Sequence, residues 1–488
     1  MKTSISFLLI LVWTVSCVEQ KQDLIWPQFR GINGTGVSAE DSRPPLIFDR
    51  SNLLWKTVLL PGVSSPVIWN NKIIVTGYDE DSEVLQTICI NRRNGKILWN
   101  KSVTPDTIEK YHSISNPAQS SPVTDGERVI VNFGSCGLYC YNMEGTLQWE
   151  YNLPCVTDPY GCANSPIIVG EKLLIVRWAG QSAMLMALDK KTGTEIWKVN
   201  TISAGYTMPC IYNNIIYIHN FEGITGFSLV DGSEKWHYKI TSRGNGSPII
   251  AENKIIVPFW TQLSEEDRVG KLPDYEALVR GYDKNKNGTV SKDELPDDDV
   301  NFFYRPDNDL ESSQGTAKIF FGYIDANIDD EITMSEWNNL LEMQKSLSNP
   351  AGLMAFNLEN QGELPDSNVL WRVTKNIPEV PTPIFYNNRV FMIKDGGILT
   401  CTNPETGEVI YTERIGNSGP YIASPIAANG FLYFFGYNGK TKIVKAGDIF
   451  EVAGEHDFDD KIIATPAIVG NTIYIRTGEG LWAYSEHK

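Results

Sequence analysis

Apolar and polar positions alternate along most of this chain in short runs broken by Gly, Asn and Pro. That is the period-two pattern of half-buried β-strands. The clearest unit is Ala187–Trp197. Met184 to Leu188 is a short apolar strand. Asp189 is placed to hydrogen-bond the turn backbone, and Gly193 to supply a positive φ. Glu195 to Trp197 opens the return strand, with Trp197 as a large apolar anchor. The pattern predicts a β-hairpin.

Recurrence of that hairpin sets the architecture. A Pro opens an apolar strand at Pro66, Pro122, Pro166, Pro209, Pro248, Pro383, Pro425 and Pro466, usually after a small or polar residue. The spacings are 56, 44, 43, 39, 135, 42 and 41. A small residue recurs at Cys89, Cys140, Ala187, Gly226, Ala355, Cys401 and Ala483. A closing aromatic recurs at Trp99, Trp149, Trp197, Trp236, Trp371 and Tyr411. The seventh unit is degenerate, with Gly447 and Phe450 only a loose match. Four strands per period of about 42 residues describe a β-propeller blade, and eight openings predict eight blades. The last unit stops before its aromatic strand. Leu53 to Val58, carrying Trp55, is the missing strand, so the two chain ends are expected to close the ring. The fold class is all-β.

Composition agrees and narrows function. The 488 residues are 42% apolar, with 53 Tyr, Trp and Phe and 40 Gly, which suits many short strands and tight turns. A net charge of −17 argues against nucleic-acid partners and against electrostatic docking on anionic lipid. Met1 to Ser16 reads as an export signal, with Lys2 ahead of an apolar run from Ile5 to Val12. Thr14 to Cys17 resembles a bacterial lipobox, with Thr14 where Leu is usual, and makes Cys17 the lipidation candidate. Export permits disulfides. Cys155 and Cys162 flank a turn-rich stretch and are the candidate pair, while Cys136 and Cys210 stay unassigned.

The spacing of 135 marks an insertion of about 93 residues in blade 5, placed at 261–350. It holds 20 acidic and 9 basic residues and turns to helical periodicity. Within it, Asp283, Asn285, Asn287, Thr289, Ser291 and Glu294 fall at positions 1, 3, 5, 7, 9 and 12 of an EF-hand loop, with Gly288 at the sharp turn. Such a loop converges hard oxygens from one short segment, as Ca²⁺ requires. A second loop places Asp325, Asn327, Asp329, Glu331, Thr333 and Glu336 likewise, but has Asp330 instead of Gly at position 6. The loops start 42 residues apart, as a paired unit would. Up to two Ca²⁺ are expected, in a structural rather than regulatory role.

The hairpin Ala-x-Asp-x-x-Thr-Gly-x-x-x-Trp at Ala187–Trp197 resembles the pyrroloquinoline-quinone (PQQ) repeat. The resemblance runs from about Leu53 to the C-terminus outside the insert, and Trp26 to Gly36 resembles the lead-in of exported bacterial PQQ-like propeller proteins. That family includes quinoprotein dehydrogenases and BamB-like lipoproteins of outer-membrane assembly. In it the Trp docks between blades, so the motif is architectural. Quinoprotein alcohol dehydrogenases also carry adjacent cysteines beside the cofactor, and no two cysteines are adjacent here. Of five His, only His112, in the loop before the second blade, is a candidate for inspection, and no residue is named as catalytic. The expected organisation is a signal at 1–16, a lead-in at 17–51, propeller at 52–260 and 351–488, and the insert at 261–350. The export signal, the lipobox and the resemblance together imply an exported lipoprotein of the periplasm, the outer membrane or the cell surface. The expected function is a non-catalytic scaffold for an envelope protein or glycan, whose only membrane link is its lipid anchor. The alternative is a PQQ-dependent alcohol or sugar dehydrogenase, which is not favoured.

Overall fold

Blades 1 to 6 are each registered by one large-on-small pair. Trp99 faces Cys89, Trp149 faces Cys140, Trp197 faces Ala187, Trp236 faces Gly226, Trp371 faces Ala355 and Tyr411 faces Cys401. A register shift beside each pair lets the outer strand bulge. The ring then leans on the hairpin turn of the next blade. Trp149 Nε1 donates to Lys190 O (3.1 Å), and a Cβ on Gly193 would stand 2.7 Å from the Trp149 ring. Gly193 also has φ +71°, so both space and backbone require glycine there. Trp55, Trp99 and Trp371 make the same bond, to Arg92 O, Met143 O and Pro404 O.

The computed structural model describes residues 24–178, 183–201, 203, 205–265, 268–304, 314–348, 351–416 and 419–486. The proposed signal, Cys17 and His487 lie outside them. Eight sheets, each built on four antiparallel strands, form an eight-bladed propeller; Ile25–Trp26 adds a fifth strand to blade 1, and Gly362–Glu363 adds a parallel fifth strand to blade 4. Blade 1 runs through Val67–Trp69, Lys72–Asp79, Val84–Asn91 and Ile97–Val103. Blade 8 is Ala467–Val469, Thr472–Thr477 and Gly480–Ser485, completed by Leu53–Val58 with Trp55 opposite Ala483. No described helix is long and apolar enough to cross a membrane.

Blade 7 departs for a physical reason. Gly454, not Phe450, occupies the closing-aromatic position, opposite a large Ile443. A Cβ on Gly454 would collide with Leu46 O of the lead-in. Phe450 instead sits against Tyr411 of blade 6, with ring centroids 6.1 Å apart. The lead-in itself crosses the face formed by the turns between first and second strands. Ile25 pairs with Trp69, Thr124 N donates to Pro27 O, and Val37 bridges Ala427. Arg30, 1% exposed, donates to Thr382 O (2.8 Å) and Pro383 O (3.0 Å). Burial pushes its guanidinium down to about 9.

In blade 5 the second strand, Lys254–Phe259, pairs with the third, Gly352–Asn357. The described residues between them carry three α-helices: α1 (Tyr275–Tyr282), α2 (Phe321–Ile324) and α3 (Met334–Leu347). Asp274 caps α1 by accepting from Ala277 N, and Thr333 with Glu336 forms a capping box on α3. Trp337, fully buried, centres a separate core with Leu278, Val290, Phe321 and Ile332. Val290 pairs with Ile332 across the two loops. The unit is less helical than a standard EF-hand pair. Pro296 follows Glu294 too closely for an exit helix, and the chain forms a hairpin, Asn301–Tyr304 with Gln314–Thr316.

The expected Cys155–Cys162 bridge is not formed. All seven described cysteines are free thiols. Cys155 Sγ donates to Val156 O, whereas buried Cys162 Sγ accepts from Asn132 Nδ2 (3.3 Å). Each sulfur is committed to a different partner.

Candidate functional site

Antiparallel blades put two sets of loops on one face: those joining successive blades, and those joining second to third strands. A funnel opens there, with a cavity of about 320 Å³. Its floor explains the hydroxyl-bearing residue before seven of the eight Pro. Ser65 N donates to Ser121 Oγ, Ser121 N to Ser165 Oγ, Met208 N to Ser247 Oγ, Ser247 N to Thr382 Oγ1, Thr382 N to Ser424 Oγ and Ser424 N to Thr465 Oγ1, all at 2.9–3.0 Å. Neighbouring blades are thereby stitched by a belt of hydroxyls around the axis. Met208 takes one belt position without a hydroxyl. Phe29 of the lead-in also lines the cavity, entering from the opposite face.

One wall is aromatic. His112 stacks on Tyr160 (5.2 Å between centroids), Tyr160 meets Tyr206 edge-on (5.6 Å), Tyr206 meets Phe221 (5.8 Å), and Phe221 meets Trp178 (4.9 Å). Asp158 clamps this arc. It accepts from Tyr206 Oη (2.8 Å), Trp178 Nε1 (2.7 Å) and Tyr160 N (2.8 Å). Burial, and then the Asp158 charge, pushes the Tyr206 phenol well above its ordinary range, so it stays a protonated donor. The far wall carries Glu379 and Asp395, with Tyr421 N donating to Asp395 (2.9 Å). Arg243 is the one Arg or Lys among the described lining residues, and its Nε donates to Gln262 Oε1 (2.9 Å). His219 is committed elsewhere: it is fully buried between Gly246 O and Ser242 Oγ, and burial pushes it down to about 4.

The insert replaces the second-to-third-strand connection of blade 5, so it rises from the funnel face. Its root lines the mouth through Trp260 and Gln262. Thr261 Oγ1 donates to Leu347 O at the end of α3 (2.6 Å). A buried Glu265–Lys394 pair (2.9 Å) ties it to blade 6.

Within the first loop, Asp283 accepts from Lys286 N, Asn287 N and Gly288 N. Glu294 accepts from Lys284 N, Asn285 N and Ser291 N. The Ser291 N–H, with those of Asn285 and Lys284, holds the Glu294 carboxyl below its usual range, so it is charged. The backbone is thus wound around both end carboxylates, leaving Asn285, Asn287, Thr289 O and Ser291 as the neutral oxygens of the donor set. In the second loop Asp325 and Glu336 are wrapped the same way, and Asp330 adopts φ +64° where Gly288 has φ +90°. Glu331 reaches across to Thr289 Oγ1 (2.7 Å). No group of three or more His, Cys, Asp or Glu suited to a metal occurs among the described residues. The first loop's donor set carries only two carboxylates, so its chemistry rests on mixed oxygens.

Sequence reading singled out His112 here but missed Asp158, Tyr160, Tyr206, Arg243, Glu379 and Asp395. They lie in loops of unequal length, where no repeat offset marks them.

A family model described as outer membrane protein assembly factor BamB matches residues 48–161 and 161–271. BamB from Moraxella catarrhalis superposes with a TM-score of 0.50 at 10% identity, covering 89% of this chain and 96% of that one. A europium-containing methanol dehydrogenase gives 0.56 at 10% identity, covering 93% and 89%. The quinohemoprotein alcohol dehydrogenase of Comamonas testosteroni gives 0.54 at 13% identity, covering 95% and 81%. At these identities the likeness is one of fold. No curated protein matches the chain in sequence. The PQQ-like, BamB-like resemblance read from the Ala187–Trp197 hairpin is supported over blades 1 to 4, and the propeller form over nearly the whole length.

Proposed function

We propose that this chain is an exported cell-envelope β-propeller that acts as a non-catalytic binding scaffold for a protein or glycan. On this reading Cys17 anchors it to the membrane, and residues 261–350 form an insert that holds Ca²⁺. Asp283, Asn285, Asn287, Thr289, Ser291 and Glu294 would hold one ion. Asp325, Asn327, Asp329, Glu331, Thr333 and Glu336 would hold a second. Calcium there braces the root of the insert at the funnel mouth.

The funnel's donor set carries the reading. PQQ bears three carboxylates, and this cavity would offer it one guanidinium, Arg243, against two carboxylates, Glu379 and Asp395. Burying anions without paired cations is costly, and this lining supplies few cations of its own for the quinone. The BamB-like fold supports a scaffold role, and the dehydrogenase likenesses keep the quinone as the reading to test against.

The test is to mix the purified full chain with PQQ and Ca²⁺. The expected result is no stoichiometric quinone spectrum and no dye reduction with alcohols or sugars. Saturable quinone binding with turnover would overturn the scaffold reading.

A further inference from the structure

We infer that the funnel takes the end of a neutral glycan chain, stacked on the aromatic arc and hydrogen-bonded by the hydroxyl belt. This rests on the scaffold reading and names its ligand class. Three observations carry it. The arc from His112 through Tyr160 and Tyr206 to Phe221 is a continuous line of rings at 5.2–5.8 Å, partly open to the cavity. A sugar ring presents an apolar C–H face and a rim of hydroxyls. Aromatic side chains match the face, and fixed polar groups match the rim. Asp158 holds the arc from behind through Tyr206 Oη and Trp178 Nε1, so the rings are set before a ligand arrives.

Second, the hydroxyls of Ser121, Ser165, Ser247, Thr382 and Ser424 each accept a neighbour's N–H yet donate to no described residue. Their O–H groups line the cavity and are left for a ligand with acceptor oxygens. Third, the described lining residues include one Arg and two carboxylates, a set too poor in cations to favour polyanions. Phe29 lines this cavity and also a second one beneath the lead-in, so it stands between the two. A chain terminus entering from the funnel face meets it end-on. A peptide would find the same rings. The belt's row of spare O–H donors, however, matches a ligand rich in acceptor oxygens along its whole rim.

The experiment is calorimetric titration of the full chain with hexasaccharides of glucose (α-1,4, β-1,4 and β-1,3), xylose, mannose and N-acetylglucosamine. At least one should bind saturably. Tyr206→Ala should weaken it by about tenfold. Tyr206→Phe, which keeps the ring and removes only the bond to Asp158, should weaken it by no more than about threefold. Val230→Ser, on an exposed outer position, should leave it unchanged. A melting curve on each variant checks the fold. Absence of binding across the panel, or binding indifferent to Tyr206→Ala in a folded variant, would overturn the inference. Selection of a peptide that binds the funnel with Tyr206 sensitivity, while no glycan binds, would overturn the glycan and leave the scaffold. Release of reducing ends from a bound glycan would keep the glycan and overturn the scaffold.

Discussion

The insert and the funnel lie side by side yet are built by opposite rules. In the insert, every proposed metal oxygen of the first site comes from one stretch, Asp283 to Glu294, and the backbone between them turns its own N–H groups onto the two end carboxylates. In the funnel, the aromatic arc takes His112, Tyr160, Tyr206 and Phe221 from four separate loops, and the opposing carboxylates from two more. A local site is specified by spacing. A non-local site is specified by how blades pack, so its precision depends on the Trp-on-turn contacts and on the belt of hydroxyls. Mutations in the two regions should therefore separate, even though Trp260, Thr261 and Glu265 give them a common root.

The largest expected effect breaks the propeller and spares the loops. Trp371 is 7% exposed, and its indole donates to Pro404 O (2.9 Å) on the next blade. Trp371→Ala removes that bond and leaves a cavity between blades 5 and 6, which should cost about 3–5 kcal/mol. Chemical denaturation should show the propeller transition shifted to lower denaturant. Below that transition, calorimetry should show the heat of calcium binding unchanged. Loss of calcium binding in the still-folded variant would mean that the insert depends on blade packing and that the two regions are not separate.

The reverse cut is Glu294→Gln. It withdraws the bidentate carboxylate that closes the first loop and should weaken that site by about a hundredfold. The second loop should still titrate, and the propeller transition should stay where it was, because Trp337 gathers a core of its own around the loops. Unfolding of the whole chain would show that the boundary at 261–350 is misplaced.

This contrast also explains which features were legible beforehand. Trp99, Trp149 and Trp371 recur at a fixed offset because each makes the same contact, so the blades could be counted and Leu53–Val58 matched to its unfinished partner. The residue before each Pro was visible as a pattern, but its cause was not. A hydroxyl accepting from the next blade appears only when blades are side by side. Blade 7 looked degenerate because the reason for Gly454 is Leu46, far away in the chain. The insert's helical periodicity and loop spacing point to an α-helical EF-hand pair, whereas Pro296, two residues after Glu294, removes the exit helix of the first loop. Asp158 could not be found at all: an Asp in a turn is common, and its three donors come from three places.

The smallest expected effect compares the two loops themselves. Asp330 stands at φ +64° where Gly288 stands at φ +90°, and each donates its N–H to the first carboxylate of its loop at 2.9 Å. An L-residue held in the left-handed region costs about 1 kcal/mol, less for Asp than for most. Asp330→Gly removes that cost and keeps the N–H bond to Asp325. It also removes a negative charge near the proposed ion. Asp330 is exposed, so that charge is screened and contributes only a few tenths of a kcal/mol. Relief of backbone strain therefore wins, and calcium affinity at the second loop should rise by about threefold. Calorimetry on the Glu294→Gln background, where only the second site titrates, reads this directly. A fall in affinity would mean that the Asp330 charge acts on the ion more strongly than its exposure allows, and that the second loop draws calcium by charge where the first does so by geometry.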